Sequence, residues 1–323
     1  MTIEAWEAYI RGNQMLKSRN PDGARKAIDY FRQVLAMDSA YAPAYAGLAD
    51  AYAVFGIGNI GDFKPDDYFP LARDAANRAL ELDGTLAEAH AALGYFELLY
   101  NLNWEQAALE LQHAVDLQPS YPGAHIYRTV LFEWTGRFDD AVREAREARD
   151  RDLLSPVTNI ELGRALFFAR RNREAEAQLR HTLDLDSTSL RTHLHLGQVL
   201  AQEKRFDEAI AELTTATRLS TNSSRPLALL AHANAAAGNR VEALRLLDSL
   251  VARKQRGYVP AFDFAIVHAG LGNTFETMRF LDQSVSEHSI RPYLMDPTFD
   301  GVRSDRRFGE LLKRLKLAPG PRS

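Results

Sequence analysis

Apolar residues recur at every third or fourth position along most of the chain, in segments of about a dozen residues. Glycine or a short polar stretch separates one segment from the next, as at Gly136 and Gly238. No stretch of useful length alternates apolar and polar residues as a half-buried strand does. The pattern therefore predicts an all-α protein made of consecutive helix pairs.

Two independent markers show that these pairs repeat with a fixed period. In segments such as DDAVREA, DEAIAEL and VEALRLL a small residue returns every 34 positions, at Ala107, Ala141, Ala175, Ala209, Ala243 and Thr277. In the preceding segments a second small residue returns after 35 and then 34 positions, at Gly94, Thr129, Gly163, Gly197, Ala231 and Ala265. Small residues allow close helix approach, so each period predicts one helical hairpin that is stabilised by stacking on its neighbours.

The repeat resembles the tetratricopeptide (TPR) family, whose 34-residue pattern is W-x2-L-G-x2-Y, A-x3-F and P. One unit shows it as Leu93, Gly94, Ala107, Leu111 and Pro119; the preceding unit carries Tyr45, Leu48, Ala49, Tyr52, Ala72 and Ala76. The resemblance implies a right-handed superhelical α-solenoid of about eight helix-turn-helix units, counted from Gly12. We expect the array to cover residues 1–290 and a C-terminal connector and capping helix to cover 291–323.

A glycine-rich stretch interrupts the second unit. Residues 56–61, GIGNIG, match the G-x-G-x-x-G pattern of dinucleotide-binding turns, but a helical segment precedes them and Asp62-Phe63-Lys64-Pro65 is a poor helix start. For both markers, the spacing between successive marker residues is 11 residues longer across this interval. We therefore interpret it as a long inter-helix loop at 56–70. It either packs on the rim of the array or covers the groove as a flap, and Phe63, Tyr68 and Phe69 give it apolar side chains to bury.

Two shorter insertions and a break in the period mark other parts of the chain. Three residues are added near 18–23 and one near 101–103. After the eighth unit, Asp296-Pro297 and Phe299 are expected to pin the connector. A capping helix is then predicted from Ser304 onward, with Arg306, Phe308, Leu311, Leu312 and Leu315 in its pattern.

Most of the chain also resembles the C-terminal TPR arrays of bacterial multidomain signalling proteins. In those proteins the array follows a winged-helix DNA-binding domain, a class III cyclase or a Ser/Thr kinase domain. No such effector domain is present here, so we expect either an array taken from a longer protein or a stand-alone relative. The resemblance implies an alternative function as the sensory or self-associating region of a bacterial regulator.

Composition narrows the functional classes. The formal net charge of −4 lacks the excess of Lys and Arg that nucleic-acid binding needs, so no direct nucleic-acid partner is expected. No run of about 20 apolar residues predicts a membrane span. The absence of cysteine excludes disulfides and thiolate sites, and with no signal-peptide pattern we predict a cytoplasmic protein.

No motif for catalysis or for a cofactor occurs. The chain lacks a G-x-S-x-G elbow, a P-loop and an H-E-x-x-H pair, so we predict that it is not an enzyme and uses no cofactor. His90, His125 and His193 occupy the same position in their units. Neighbouring hairpins should hold these positions too far apart for a shared ion, and packing at helix contacts is the favoured interpretation; no metal site is predicted.

The remaining candidate site is the concave groove that first helices line in a TPR array. Projection of the period predicts these groove residues: Asp50, Tyr95, Tyr127, Trp134, Arg164, Phe168, Arg191, His195, Gln198, Gln202 and His232. Exposed aromatic side chains, combined with Arg164, Arg191 and His195, suit a protein or peptide segment with acidic and apolar side chains. The Lys and Asn of carboxylate-clamp TPR domains are replaced here by Ala91, Ile126, Ile160 and Leu194, so that specific function is not expected. A homo-oligomer is a further possibility.

Overall fold

A computed structural model describes residues 2–17, 19–56, 62–221, 223–289 and 292–317. The chain divides into two compact units, Met1–Leu131 and Phe132–Ser323. The described residues form helices and their connecting turns, with no strand among them. The all-α prediction is therefore confirmed.

Sixteen of the described helices follow one another as eight pairs, the number that the period predicts, and the pairs that lie wholly within one unit pack as helical hairpins. They are α1 Ile3–Leu16 and α2 Pro21–Met37; α3 Ala42–Gly56 and α4 Pro65–Leu82; α5 Ala87–Phe96 and α6 Trp104–Leu117; α7 Pro122–Trp134 and α8 Phe138–Arg151; α9 Pro156–Phe168 and α10 Asn172–Leu185; α11 Leu190–Gln202 and α12 Phe206–Leu219; α13 Arg225–Ala236 and α14 Arg240–Arg256; α15 Ala261–Gly270 and α16 Thr274–Ser286. Within each unit, the second helix of a hairpin packs on the first helix of the next, as α4 does on α5 and α12 on α13. The α-solenoid arrangement is confirmed.

The small marker residues lie where helices cross closely. All six markers of the second helices, from Ala107 to Thr277, are fully buried. A Cβ atom on Gly94 would come within 2.7 Å of the Leu111 side chain, and one on Gly197 within 2.5 Å of Leu213. These distances are shorter than any normal carbon contact, so a larger residue would push the two helices of the hairpin apart.

From the third hairpin onward, the turn between the two helices has a residue with left-handed backbone conformation at one fixed position. These residues, 34 positions apart, are Leu102, Gly136, Arg170, Lys204, Gly238 and Gly272, all with positive φ. Glycine adopts this conformation without strain, whereas a residue with a Cβ atom pays about 1 kcal/mol or more. Arg170 and Lys204 thus place long cationic side chains where other hairpins carry glycine.

The structure accounts for the predicted insertions. The single extra residue near 101–103 is absorbed by a π-helical turn, Glu97–Asn101, at the end of α5. A π-helical turn is the expected way to add one residue to a helix. Of the three-residue extension near 18–23, residue 18 lies outside the described residues, and α2 already begins at Pro21.

The loop predicted at 56–70 is shorter than expected, because α4 begins at Pro65. Proline suits the first turn of a helix, whose backbone N–H groups need no intrahelical acceptor. Phe63 and Tyr68 both pack against the buried Phe55, as expected for apolar residues of this region. Residues 57–61 lie outside the described part, so the choice between rim and flap stays open.

The connector folds as two short 3-10 helices, Pro292–Met295 and Pro297–Val302, followed by the capping helix α17, Arg306–Arg314. The capping helix buries Phe308, Leu311 and Leu312, as predicted, and packs on α16. Its N-cap is Asp305 and not Ser304, since the Asp305 side chain accepts a hydrogen bond from the backbone N–H of Arg307.

Candidate functional site

In the first unit, the predicted residues form a buried cluster of side chains. The rings of Tyr95 and Tyr127 stack with centroids 4.0 Å apart, and both are almost fully buried. The Tyr127 hydroxyl hydrogen-bonds to Asp50. Arg19, from the turn between α1 and α2, donates to that hydroxyl at 2.7 Å and pairs with Asp50 at 3.3 Å. The polar groups of these side chains therefore bind one another within the cluster.

In the second unit, four charged residues with alternating sign form a buried chain along α7, α9 and α11. Arg164 lies 3.1 Å from a Glu133 carboxylate oxygen and 2.6 Å from one of Glu161. Arg191 pairs with the other Glu161 oxygen at 2.5 Å. Ion pairs this deeply buried are costly to break, because removing one partner leaves the other charge without compensation.

In this row of charged residues, burial and neighbouring charges shift the pKa values of the carboxylates in opposite directions. Burial raises the pKa of Glu133 to about 8, although Arg164 opposes the shift. Burial acts in the same sense on Glu161, but Arg164 and Arg191 outweigh it and lower its pKa to about 2. Burial and the same two arginines lower the pKa of His195 to about 3. At neutral pH the cluster therefore carries two guanidinium cations, one full carboxylate and a neutral imidazole, which makes it electropositive.

A segment from the C-terminus of the chain, residues 294–302, packs against first helices of this unit. The side-chain amide of Gln198 donates to the Asp296 carboxylate at 2.9 Å, and His195 contacts the same glutamine at 3.0 Å. Phe299 packs edge-on against Phe262, with ring centroids 5.3 Å apart. Leu294, Met295, Phe299 and Val302 are all almost fully buried, so the segment is part of the core.

Two further contacts hold the segment. Arg170 forms a bidentate pair with Asp300, with both N–O distances 2.6 Å. His232 hydrogen-bonds to the backbone of Thr298, and burial nevertheless lowers the pKa of this histidine to about 4. The second unit thus binds two acidic side chains and one aromatic side chain of its own chain.

A pocket of about 290 Å³ remains open beside the segment. Its polar lining groups include Gln198, Gln202, Lys204, His232 and Thr298. Apolar walls come from α11, α13 and α15, and Pro297 and Gly301 close the side formed by the segment. Polar groups contribute at least as much of the pocket surface as apolar groups, so the pocket suits a polar or charged side chain.

The predicted groove residues therefore have three different surroundings. Tyr95 and Tyr127 belong to the cluster of the first unit, Arg164, Arg191 and His195 to the charged chain, and Gln198, Gln202 and His232 to the pocket. The expectation that the aromatic residues are exposed was wrong. Tyr95, Tyr127, Trp134 and Phe168 are each at most 4% exposed, because other parts of the chain cover them. Their role in partner binding stays a prediction.

Sequence reasoning missed Arg170, Lys204, Asp296 and Asp300 as members of this site. Arg170 and Lys204 occupy the turn position that is glycine in three other hairpins, and this substitution is visible in the sequence. Asp296 had been assigned to the connector alone. Nothing in the repeat pattern indicates that the connector packs on first helices.

The repeat model of the tetratricopeptide family matches residues 200–259, from the end of α11 to just past α14. This match covers hairpins with the same architecture as their neighbours. The chain carries tetratricopeptide repeats. Outside the matched residues, the TPR pattern is supported by the hairpins and by the period of the small residues.

Solved structures with the same fold agree with this assignment. Pseudomonas aeruginosa pilF is 19% identical, with a TM-score of 0.50 over 66% of this chain and 91% of its own. The APC/C hetero-tetramer Cut9–Hcn1 contains a chain that is 19% identical, with a TM-score of 0.53 over 71% of this chain and 46% of that one. No curated protein sequence matches significantly. Among the described residues, no helix has both the length and the apolar character needed to cross a membrane.

Proposed function

We propose that this TPR protein is a non-catalytic binding module that captures a partner segment at the pocket of its second unit. The observation that carries the proposal is the pocket beside residues 294–302, where Gln202, Lys204 and His232 meet apolar walls. TPR arrays in general act as scaffolds for protein partners, and the fold is shared with pilF and with Cut9–Hcn1. The residues that bind the chain's own segment support this proposal, because they pair with two of its acidic side chains.

The partner we propose carries acidic and apolar side chains. Lys204 is exposed at the pocket and offers a cation to a carboxylate, and Gln202 offers an amide donor and acceptor. Because the lowered pKa of His232 keeps its ring neutral at physiological pH, the ring adds no positive charge. A pocket of this size takes one or two side chains, so recognition requires a segment that continues along the neighbouring surface.

The test uses variants of the open pocket, since the buried residues cannot be changed safely. Arg164→Glu, Arg191→Glu and Trp134→Ala would disturb a buried ion chain and a fully buried indole, so lost binding would only report misfolding. We instead expect Lys204→Glu to abolish capture of a partner from host lysate, measured by mass spectrometry, because it replaces the pocket's cation with an anion. Unchanged circular dichroism would show that the fold is intact.

Arg173→Glu provides the matched control, because it makes the same charge change as Lys204→Glu on the exposed surface of α10. A partner retained by the wild type and by this control, but lost by the pocket variant, supports the proposal. A partner that all three proteins retain equally contradicts the assignment of the pocket.

A second candidate function is self-association as the regulatory region of a bacterial signalling protein. Helix α1 exposes Ile3, Trp6 and Ile10, which are spaced at three and four residues and form one apolar stripe. Contiguous exposed apolar surface is unusual unless it binds something. We expect light scattering over a concentration series to show a dimer that Trp6→Gln with Ile10→Gln converts to a monomer. A wild type that stays monomeric contradicts this function.

The remaining parts of the proposal follow from charge and composition. The net charge of −4 favours a protein partner over nucleic acid, and we propose no direct nucleic-acid binding. We also propose a cytoplasmic location without a membrane partner. Catalysis is not proposed, because no catalytic motif occurs in the sequence.

A further inference from the structure

Three potential metal ligands meet on the third hairpin, in the first unit. His90 lies on α5, and Glu110 and His113 lie on α6, one turn apart. One ligand atom from each of the three residues lies within 4.8 Å of the other two. His90 and Glu110 are mostly buried, while His113 is exposed, so the group is accessible from solvent on one side.

The hydrogen bonds of His90 are unusual, because both ring nitrogens face oxygen atoms that accept hydrogen bonds. Nδ1 lies 2.7 Å from Glu110 Oε2, and Nε2 lies 3.2 Å from the carbonyl oxygen of Gly84. A neutral imidazole carries only one N–H. When Nε2–H donates to Gly84, the Nδ1 lone pair and the Glu110 carboxylate face each other, and a cation between the two atoms would be bound by both.

We propose that His90, Glu110 and His113 form a binding site for Zn²⁺. Nδ1 of His90, a carboxylate oxygen of Glu110 and a ring nitrogen of His113 supply three ligands, and water completes the coordination. Nε2–H of His90 would donate to the Gly84 carbonyl, the usual outer partner of a zinc-bound histidine. The other Glu110 oxygen already accepts a hydrogen bond from Gln106 at 2.8 Å, which orients the carboxylate.

The adjustments that binding requires are small. Zinc lies about 2.0–2.2 Å from nitrogen and oxygen ligands, so ligand atoms of one tetrahedral site are about 3.5 Å apart. The His90–Glu110 contact must open slightly from 2.7 Å, and the His113 ring must move inward. An exposed side chain can make that movement by rotation about its own bonds.

The sixth hairpin offers a matched site that lacks the third ligand. There, His193 Nδ1 lies 2.5 Å from Glu212, and its Nε2 lies 3.1 Å from the carbonyl oxygen of Ser187. The position equivalent to His113, 102 residues further along, is Thr215. The two hairpins share the histidine, the carboxylate and the carbonyl, and they differ in the residue that we assign as the third ligand.

This difference gives an experiment within one chain. Zn²⁺ is titrated into the metal-free full-length protein by calorimetry, and Co²⁺ is titrated with detection of its visible absorption. We expect the wild type to bind one ion and His113→Thr to bind it at least tenfold more weakly. We expect Thr215→His to add a second site. His113 is exposed and Thr215 is partly buried, so thermal unfolding checks that each variant is folded.

Two results would overturn the proposal. If His113→Thr binds Zn²⁺ as the wild type does, any bound ion is held elsewhere. If Thr215→His gains no site, the shared geometry of histidine, carboxylate and carbonyl does not suffice for binding. The partner-binding pocket plays no part in either measurement, so the outcome is independent of the proposed function.

Discussion

The two units of this protein cover their first helices in different ways. In the first unit a single side chain, Arg19, reaches Asp50 and the stacked tyrosines. In the second unit a segment of backbone, residues 294–302, contributes four buried apolar side chains and two carboxylates. A single side chain covers the first helices without adding further residues. A packed segment also exposes surface of its own, and the pocket beside Pro297 is partly lined by that surface.

In both units, therefore, a first-helix residue of a TPR hairpin can be covered by the protein's own residues and need not be available to a partner. Tyr127 and Trp134 occur close together on α7, and both are fully buried, although the repeat pattern alone marks them as groove residues. Repeats define where side chains point within a hairpin. What lies against those side chains depends on sequence outside the hairpin.

The largest expected effect comes from removing the aromatic anchor of the segment. We expect Phe299→Ala to destabilise the second unit by about 3–5 kcal/mol, because it empties a fully buried site against Phe262. Urea unfolding measures this loss of stability, followed by the fluorescence of Trp134 in a variant in which Trp6 and Trp104 are replaced by Phe. Phe275→Ala, at a ring that is 64% exposed, is the control and should change stability little. Equal effects would show that residues 294–302 do not anchor the unit.

A smaller effect is expected in the first unit. We expect Arg19→Ala to cost about 1.5–3 kcal/mol, because the variant loses the hydrogen bonds to Asp50 and Tyr127 and leaves the carboxylate with less compensation. The same unfolding experiment, with Trp104 as the only tryptophan, measures it. Arg25→Ala, whose exposed pair with Asp22 is on the surface, serves as the control. No loss on Arg19→Ala would mean that the cluster contributes no stability.

The smallest effect is the pH dependence of the free energy of unfolding, and its direction follows from the pKa shifts. Because the folded pKa of Glu133 is raised to about 8, its stabilising contribution is fully present below the unfolded pKa and is lost as pH rises through 8. The lowered pKa values of His195 and His232 act in the opposite direction, but only below about pH 6.5. Between pH 6.5 and 8 we therefore expect the free energy of unfolding of the second unit to fall, by up to about 1.4 kcal/mol per pH unit.

Glu133→Gln tests the origin of this slope, since an amide cannot titrate. We expect the decrease between pH 6.5 and 8 to disappear in this variant. An unchanged slope would assign the effect to another group. The first unit, which does not contain Glu133, should show no matching decrease over the same range.

The repeat and most of its structural consequences could be predicted from the amino-acid sequence. The 34-residue period predicted eight helix pairs and the buried small residues, because close helix packing demands small residues at fixed positions whatever the neighbours are. The apolar pattern after the period ends predicted the capping helix. Even the single extra residue near 101–103 was visible, although only the structure shows that a π-helical turn absorbs it.

Which of the predicted groove residues remain open depends on contacts that the repeat pattern does not predict. Residues 294–302 are far from α9 and α11 in sequence, and their contacts through Asp296 and Asp300 follow no period. Local propensity and periodicity describe neighbours along the chain, whereas the burial of Trp134 and the opening at Gln202 depend on long-range contacts. The proximity of His90, Glu110 and His113 could not be predicted from the sequence either, because the distance between their ligand atoms depends on how α5 and α6 pack.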